Sequence, residues 1–369
     1  MNPFKYGCVV DGEFFCPRPE LERQLRSFAE SGQNVVVQGE RRMGKTSLIR
    51  HAVRGMRKMR LLYIDLYCIR TLSDFCRRAM NGISEANESM SFLKKAMSFV
   101  HQLRPTISFD VNTGAPQISV DSRAAGSPDS LGVVMGMIGK MAKDERMCVV
   151  FDEFQDILDI ERSDVVLAEM RSTIQLQPDT PYFFSGSVRN DMMRIFDDSK
   201  SPFFKSAVPF TVGPIEASEF ERFILARFKK GERKVDLQTV RELIKYADSV
   251  AGDVQELCEA IWNTTAAKAS IAVGDIPRAL DCVFSREGEA FGESVRQLTP
   301  LQVSVLRALA GMDSVGIFSE EFMQRVQTTS TGALRTAINR LVSRRMIYQF
   351  GGRYRFSNPF FKAWLLKRM

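Results

Sequence analysis

Histidine is scarce in this chain, with only His51 and His101 among 369 residues. Two imidazoles argue against a histidine-built zinc site and against a Ser-His-Asp triad. Long apolar runs are missing too. The most apolar window, LGVVMGMIGKMA, is short and broken by Lys140, so no membrane span is expected. The opening residues, MNPFKYGCVVDGEFF, place no apolar stretch behind basic residues, so no signal peptide is expected. The seven cysteines, at 8, 16, 68, 76, 148, 258 and 282, contain no CxxC pair. An odd, scattered set fits buried thiols in a reducing cytosol better than disulfides, and a cytoplasmic protein is expected.

What is present fits an ordinary globular protein: 369 residues, enough for two or three domains, with 44% hydrophobic residues. The net charge of +7 is uneven. From Val295 onward, twelve Lys and Arg face three acids, a balance of +9 that leaves −2 for the preceding 294 residues.

The stretch VVVQGERRMGKTS, residues 35–47, reads as a strand, a glycine-rich turn and the mouth of a helix. Gly39-x4-Gly44-Lys45-Thr46 matches the phosphate-loop pattern. Its glycines let backbone N–H groups turn inward around a β-phosphate, and Lys45 neutralises β/γ oxygens. Thr46 offers a hydroxyl to Mg²⁺, and the helix N-terminus adds partial positive charge. Gly39, Glu40, Arg41, Arg42, Met43, Gly44, Lys45, Thr46 and Ser47 are therefore the candidate nucleotide-binding residues.

Further on, RMCVVFDEFQDI is a buried-strand pattern ending in Asp152-Glu153. Carboxylates at the C-terminal end of a strand sit where open α/β sheets place ligands. Asp152 is the candidate Mg²⁺-shell residue with Thr46, and Glu153 the candidate base for water attacking a γ-phosphate. A third apolar strand, in PYFFSGSVRN, ends in Ser185-Gly186-Ser187. A hydroxyl there, on a strand between the other two, would sense the γ-phosphate or position the water; Ser185 is the candidate, with Ser187 beside it. Lys45, Glu153 and Ser185 form the expected catalytic set. No [NT]-K-x-D guanine reader occurs, which argues against GTP and for ATP.

Taken together, FFCPRPELERQL, GERRMGKTSLI, VVFDEFQDI, FFSGS and SPFFKSAVPFTVGPI resemble the archaeal-type ATPase family, a P-loop branch near the STAND and AAA+ groups. The resemblance runs, with gaps, over most of the chain. It implies a parallel sheet, a helical lid and a C-terminal winged helix, with the Phe15…Arg18…Glu20 element near the nucleotide. Phe15 and Arg18 thus join the candidate nucleotide-binding residues. Two departures stand out. The family's Gly-x-Pro lid turn is Gly252-Asp253-Val254 here, and Lys205 replaces an arginine after the SPFF segment. That leaves Arg189 or Arg194 as weaker candidates for a finger between copies in an oligomer.

Alternating strands and helices predict an α/β chain: a P-loop parallel-sheet domain over 1–213, a helical lid over 214–292 and a winged-helix domain over 293–369. TISFDV and QISV flank an Asn-Thr-Gly-Ala-Pro loop, so a β-hairpin is expected as an insertion at about 105–121. At the C-terminus, three helical patterns precede YQF-GG-RYRFS, a hairpin. Such a module reads duplex DNA through its third helix and touches phosphate with its wing. Arg335, Asn339, Arg344, Arg353 and Arg355 are the candidate nucleic-acid contacts. The expectation is a Mg²⁺- and ATP-dependent ATPase whose nucleotide state controls a DNA-binding module. The alternative is a STAND-like signalling switch with slow turnover and a protein partner.

Overall fold

A computed structural model of the protein describes residues 2–86, 94, 97–98, 106–109, 116–119, 128–187, 189–312, 316–350 and 352–368. The chain forms two compact units, Pro17–Gly213 and a second made of Met1–Cys16 with Pro214–Met369.

The first unit runs α1 (Pro19–Glu30), β1 (Val35–Gln38), α2 (Lys45–Arg54), β2 (Arg60–Asp65), α3 (Leu72–Ala86), β3 (Thr106–Phe109), β4 (Pro116–Ser119), α4 (Pro128–Glu145), β5 (Met147–Asp152), α5 (Ser163–Gln175), β6 (Tyr182–Gly186), α6 (Arg189–Phe196) and β7 (Val208–Thr211). Five strands pair in parallel in the order β2-β5-β6-β1-β7. β6 therefore lies between β5 and β1, as the sequence led one to expect. β5 and β6 are buried along their whole length, the signature of strands covered on both faces. Strands β3 and β4 pair antiparallel, Thr106 with Ser119 through Phe109 with Pro116, so the expected insertion hairpin is present; its loop lies outside the described residues.

An aromatic cluster packs under the end of β5. Phe154 lies 4.7 Å from Phe184 and 5.7 Å from Phe203 between ring centroids, and Phe151 stacks on Tyr182 at 6.1 Å. Rings at these separations interlock, and the wholly buried Phe154 anchors the chain just past Asp152-Glu153.

The second unit contains α7 (Ala217–Lys230), β8 (Lys234–Val235), α8 (Leu237–Tyr246), α9 (Ala251–Thr264), β9 (Ser270–Ile271), α10 (Ile276–Arg296), α11 (Pro300–Gly311), α12 (Glu320–Val326), α13 (Thr331–Ser343), β10 (Ile347–Phe350), β11 (Arg353–Phe356) and α14 (Pro359–Lys367). Its helix starts follow capping chemistry. Thr299 and Gln302 form a reciprocal box with Pro300 in the first turn of α11, and Asn358 accepts from the amides of Phe360 and Phe361 ahead of α14. One hydrophobic core runs from Phe4 and Cys16 to Trp364 and Leu365.

The first sixteen residues, grouped with the sheet by sequence reasoning, thus pack with the second unit. Buried Arg227 explains this: it donates to the Pro3 carbonyl at 2.9 and 2.7 Å and pairs with Glu13 at 3.0 Å. Gln255 accepts from the Lys5 amide at 3.4 Å. Among the described residues, no helix is long and apolar enough to cross a membrane.

Candidate functional site

The turn after β1 is shaped by two glycines. A Cβ on Gly39 would lie 2.4 Å from the Val212 carbonyl oxygen, so no side chain fits there. Gly44 takes φ 84° at the N-cap of α2, a left-handed conformation that glycine adopts without strain. The loop then opens directly into the N-terminus of α2, where unpaired N–H groups favour anions.

Lys45 opens α2 and is buried; its ammonium donates to the carbonyls of Gly39 at 2.8 Å and Glu40 at 3.1 Å. Burial pushes the lysine pKa down, against the pull of Glu153, Asp152 and Glu40. Met43 and Ser47 are buried, Glu40, Arg42 and Thr46 half-buried, and Arg41 exposed. Arg18 is buried and donates to the Met43 carbonyl at 2.7 Å and the Gly213 carbonyl at 2.8 Å, so its guanidinium braces the loop's backbone. Phe15 is buried in the second unit.

β5 delivers the acids. Asp152 is buried, and its Oδ2 accepts from the Thr46 hydroxyl at 2.6 Å and from the Tyr63 hydroxyl at 2.6 Å. Its Oδ1 accepts from the Glu153 amide at 3.1 Å. Glu153 turns out of the strand with φ 49°, a left-handed corner held by the buried Phe154 behind it. Glu153 Oε2 accepts from Ser187 Oγ at 2.8 Å and from Gln155 Nε2 at 2.6 Å. Ser185 stands in register with Val37, wholly buried, and its hydroxyl has no hydrogen-bond partner among the described residues. The structure thus brings Ser187 to Glu153, and Ser185 not.

Tyr63, Gln155 and, as the partner of Glu153, Ser187 are the residues that sequence reasoning passed over. Ser187 and Gln155 stood inside the quoted motifs. Tyr63 carried no signal beyond its place in an apolar strand.

Among the described residues, no group of three or more His, Cys, Asp and Glu could hold a metal ion by itself. Thr46 and Asp152 supply one hydroxyl and one carboxylate. That hard-oxygen pair fits Mg²⁺, which keeps waters and takes phosphate oxygens for the rest of its shell. Of the two finger candidates, Arg194 lies 3.8 Å from Asp191, and the Arg189 side chain lies outside the described residues.

In the second unit, Leu334, Ala337, Ile338 and Leu341 bury one face of α13. Arg335 and Asn339 are exposed on that helix, and so is Arg340, which sequence reasoning did not single out. Arg335 lies over the Phe318 ring at 5.6 Å. The hairpin β10–β11 pairs Phe350 with Arg353 and Tyr348 with Arg355, with Gly352 at φ 77° in its turn. Arg353 and Arg355 are both exposed on it. Arg344 donates to the Gln297 carbonyl at 3.0 Å. Burial pushes the Asp248 carboxyl up in pKa, against the pull of Lys362 and Arg355.

A family model described as a probable winged helix domain matches residues 289–367. No curated protein matches the chain in sequence. Among solved structures, a Walker-type ATPase of Pyrococcus abyssi is similar at 19% identity, over 99% of both chains, with a TM-score of 0.71. The ORC2 protein of Aeropyrum pernix, in ADPNP–ADP complexes, is similar at 15% identity over 99% of this chain and 98% of that one, with a TM-score of 0.52. Its ADP form aligns at 12% identity over 98% and 97%, with a TM-score of 0.53. The chain therefore has the fold of these archaeal Walker-type ATPases, with a winged-helix module at its C-terminal end.

Proposed function

We propose that this protein is a Mg²⁺-dependent ATPase whose nucleotide state controls its winged-helix module, and that the module binds duplex DNA. The reading rests on one arrangement: the Thr46 hydroxyl on Asp152 at 2.6 Å, with Glu153 next in the chain and held by Ser187 at 2.8 Å. The Aeropyrum ORC2 protein, which shares the fold, was solved with ADPNP and ADP. In this proposal residues 17–213 carry the chemistry, 214–292 form the lid and 293–369 the winged helix.

The chemistry follows from the side chains. Lys45 exchanges the Gly39 and Glu40 carbonyls for β- and γ-phosphate oxygens, which are stronger acceptors because they are charged. The loop's N–H groups and the N-terminus of α2 hold the remaining phosphate charge. Thr46 and Asp152 are the residues that would hold Mg²⁺, whose part is to neutralise phosphate charge. Glu153 accepts a proton from the attacking water as the oxygen bonds to the γ-phosphorus and ADP leaves. Ser187 keeps the carboxylate of Glu153 from rotating away.

A second reading, a switch with a protein partner, is favoured by Arg344, which engages its own chain. Phosphate release by the full chain, measured with and without Mg²⁺ and with and without duplex DNA, tests both. Mg²⁺-dependent hydrolysis that responds to DNA supports the first reading. Hydrolysis indifferent to DNA supports the second, and absence of ATP binding by the folded wild type removes both. Lys45→Ala should weaken ATP binding severely, because the triphosphate loses its main cation.

A further inference from the structure

Two hydroxyl donors converge on a single oxygen of Asp152, and one of them comes from a strand outside the nucleotide motifs. Tyr63 on β2 reaches Asp152 Oδ2 at 2.6 Å, the same distance as Thr46. The register explains the reach: β2 pairs with β5 so that Asp65 stands beside Asp152 and Tyr63 beside Val150, one pleat back on the same face. The phenol is the donor of this pair, since a carboxylate oxygen only accepts. Its ring is covered by the Arg50 guanidinium 4.3 Å from the centroid, and Arg50 Nε is buried without a hydrogen-bond partner among the described residues.

We propose that Tyr63 is a positioning residue that sets the Mg²⁺ affinity of the nucleotide complex by fixing the rotation of the Asp152 carboxylate. The inference rests on the Mg²⁺–nucleotide reading above. Thr46 and Tyr63 saturate Oδ2, and the Glu153 amide meets Oδ1 at 3.1 Å, so the carboxylate plane has one orientation. A carboxylate held this way meets a metal shell without reorganising, and such outer partners are worth about 10- to 100-fold in metal affinity.

The test is binding of a fluorescent ADP to the full chain, titrated with Mg²⁺ and repeated in EDTA. For Tyr63→Phe, with its thermal melt recorded alongside, the Mg²⁺ concentration for half-maximal enhancement should rise about 10-fold while the affinity in EDTA stays that of wild type. Arg50→Met, which keeps an aliphatic stem over the ring and leaves the phenol, should move it less. A shift under about 2-fold for Tyr63→Phe, against that 10-fold expectation, overturns the proposal. So does an equal loss with and without Mg²⁺, or a larger shift from Arg50→Met than from Tyr63→Phe. If wild type fails to bind the nucleotide at all, the underlying functional reading fails instead, which is a different result.

Discussion

Ser187 and Glu153 are joined by a hydrogen bond of 2.8 Å, although they lie on different strands' ends and 34 residues apart. Ser185, two residues earlier, is wholly buried and makes none among the described residues. The end of the strand decides between them. Residues two apart in a strand share a face, but the chain leaves β6 after Gly186, which frees Ser187 to turn toward Glu153. Ser187→Ala should lower ATP turnover about 10-fold, the scale for losing one hydrogen bond to a charged group. Ser185→Ala should leave turnover and melting temperature near wild type, because its hydroxyl has no partner to lose. Steady-state phosphate release and thermal melts of the two variants check this. Equal effects would remove Ser187 from its positioning role.

Glu153 and Asp152 are adjacent, yet their hydrogen bonds separate their roles. Asp152 faces Thr46, and Glu153 faces Ser187 and Gln155. Glu153→Gln should keep Mg²⁺·ATP binding and slow hydrolysis by about 10² or more, the scale for a positioned base. Asp152→Asn should instead weaken the Mg²⁺ dependence of binding. Calorimetric ATP titrations with and without Mg²⁺, set beside turnover, distinguish the two. Wild-type hydrolysis by Glu153→Gln would place water activation elsewhere.

Gly39 offers a stability test of the loop. Its added Cβ would meet the Val212 carbonyl oxygen at 2.4 Å and the Val212 carbonyl carbon at 3.3 Å, both backbone atoms that cannot swing aside. Gly39→Ala should cost about 1–3 kcal/mol, the range for overpacking a tight site, and displace the turn. A denaturant melt reads the loss. An unchanged midpoint would mean that β7 and the loop part more easily than their packing implies.

The sheet, the phosphate loop and the acid corner were legible because each is written in a contiguous stretch. VVVQGERRMGKTS and CVVFDE carry both the strand and the chemistry at its end. The winged helix was legible for the same reason. What was not legible depends on registry between distant segments. Tyr63 meets Asp152 across 89 residues, and Arg227 reaches Pro3 across 224, which draws the first sixteen residues into the second unit. Only the fold shows that Arg344, a candidate phosphate contact, donates to a carbonyl of its own chain.

That distinction yields the last prediction. If the winged helix binds duplex DNA, the contribution of each arginine depends on what it already holds. Arg340 and Arg353 are exposed, and no ion pair involves either among the described residues, so both offer a full charge to a phosphate. Each phosphate so neutralised releases counterions, and log K should fall against log salt with a slope of about −0.9 per contact. Removing Arg340 or Arg353 should therefore flatten the slope by about one unit without changing sequence preference. Arg344 must first give up the Gln297 carbonyl. Arg344→Ala should accordingly change the melting temperature more than the salt slope. Asn339, exposed on α13 between Arg335 and Arg340, should behave differently again. Its replacement should cost about 1–3 kcal/mol only at sites where it reads a base edge. The measurement is fluorescence anisotropy of labelled duplex with the full chain, from low to physiological salt. If Arg353→Ala leaves the slope unchanged while Arg344→Ala flattens it, Arg353 is not a phosphate contact. If no duplex binds even at low salt, the +9 balance of the C-terminal segment serves a protein partner or solubility instead.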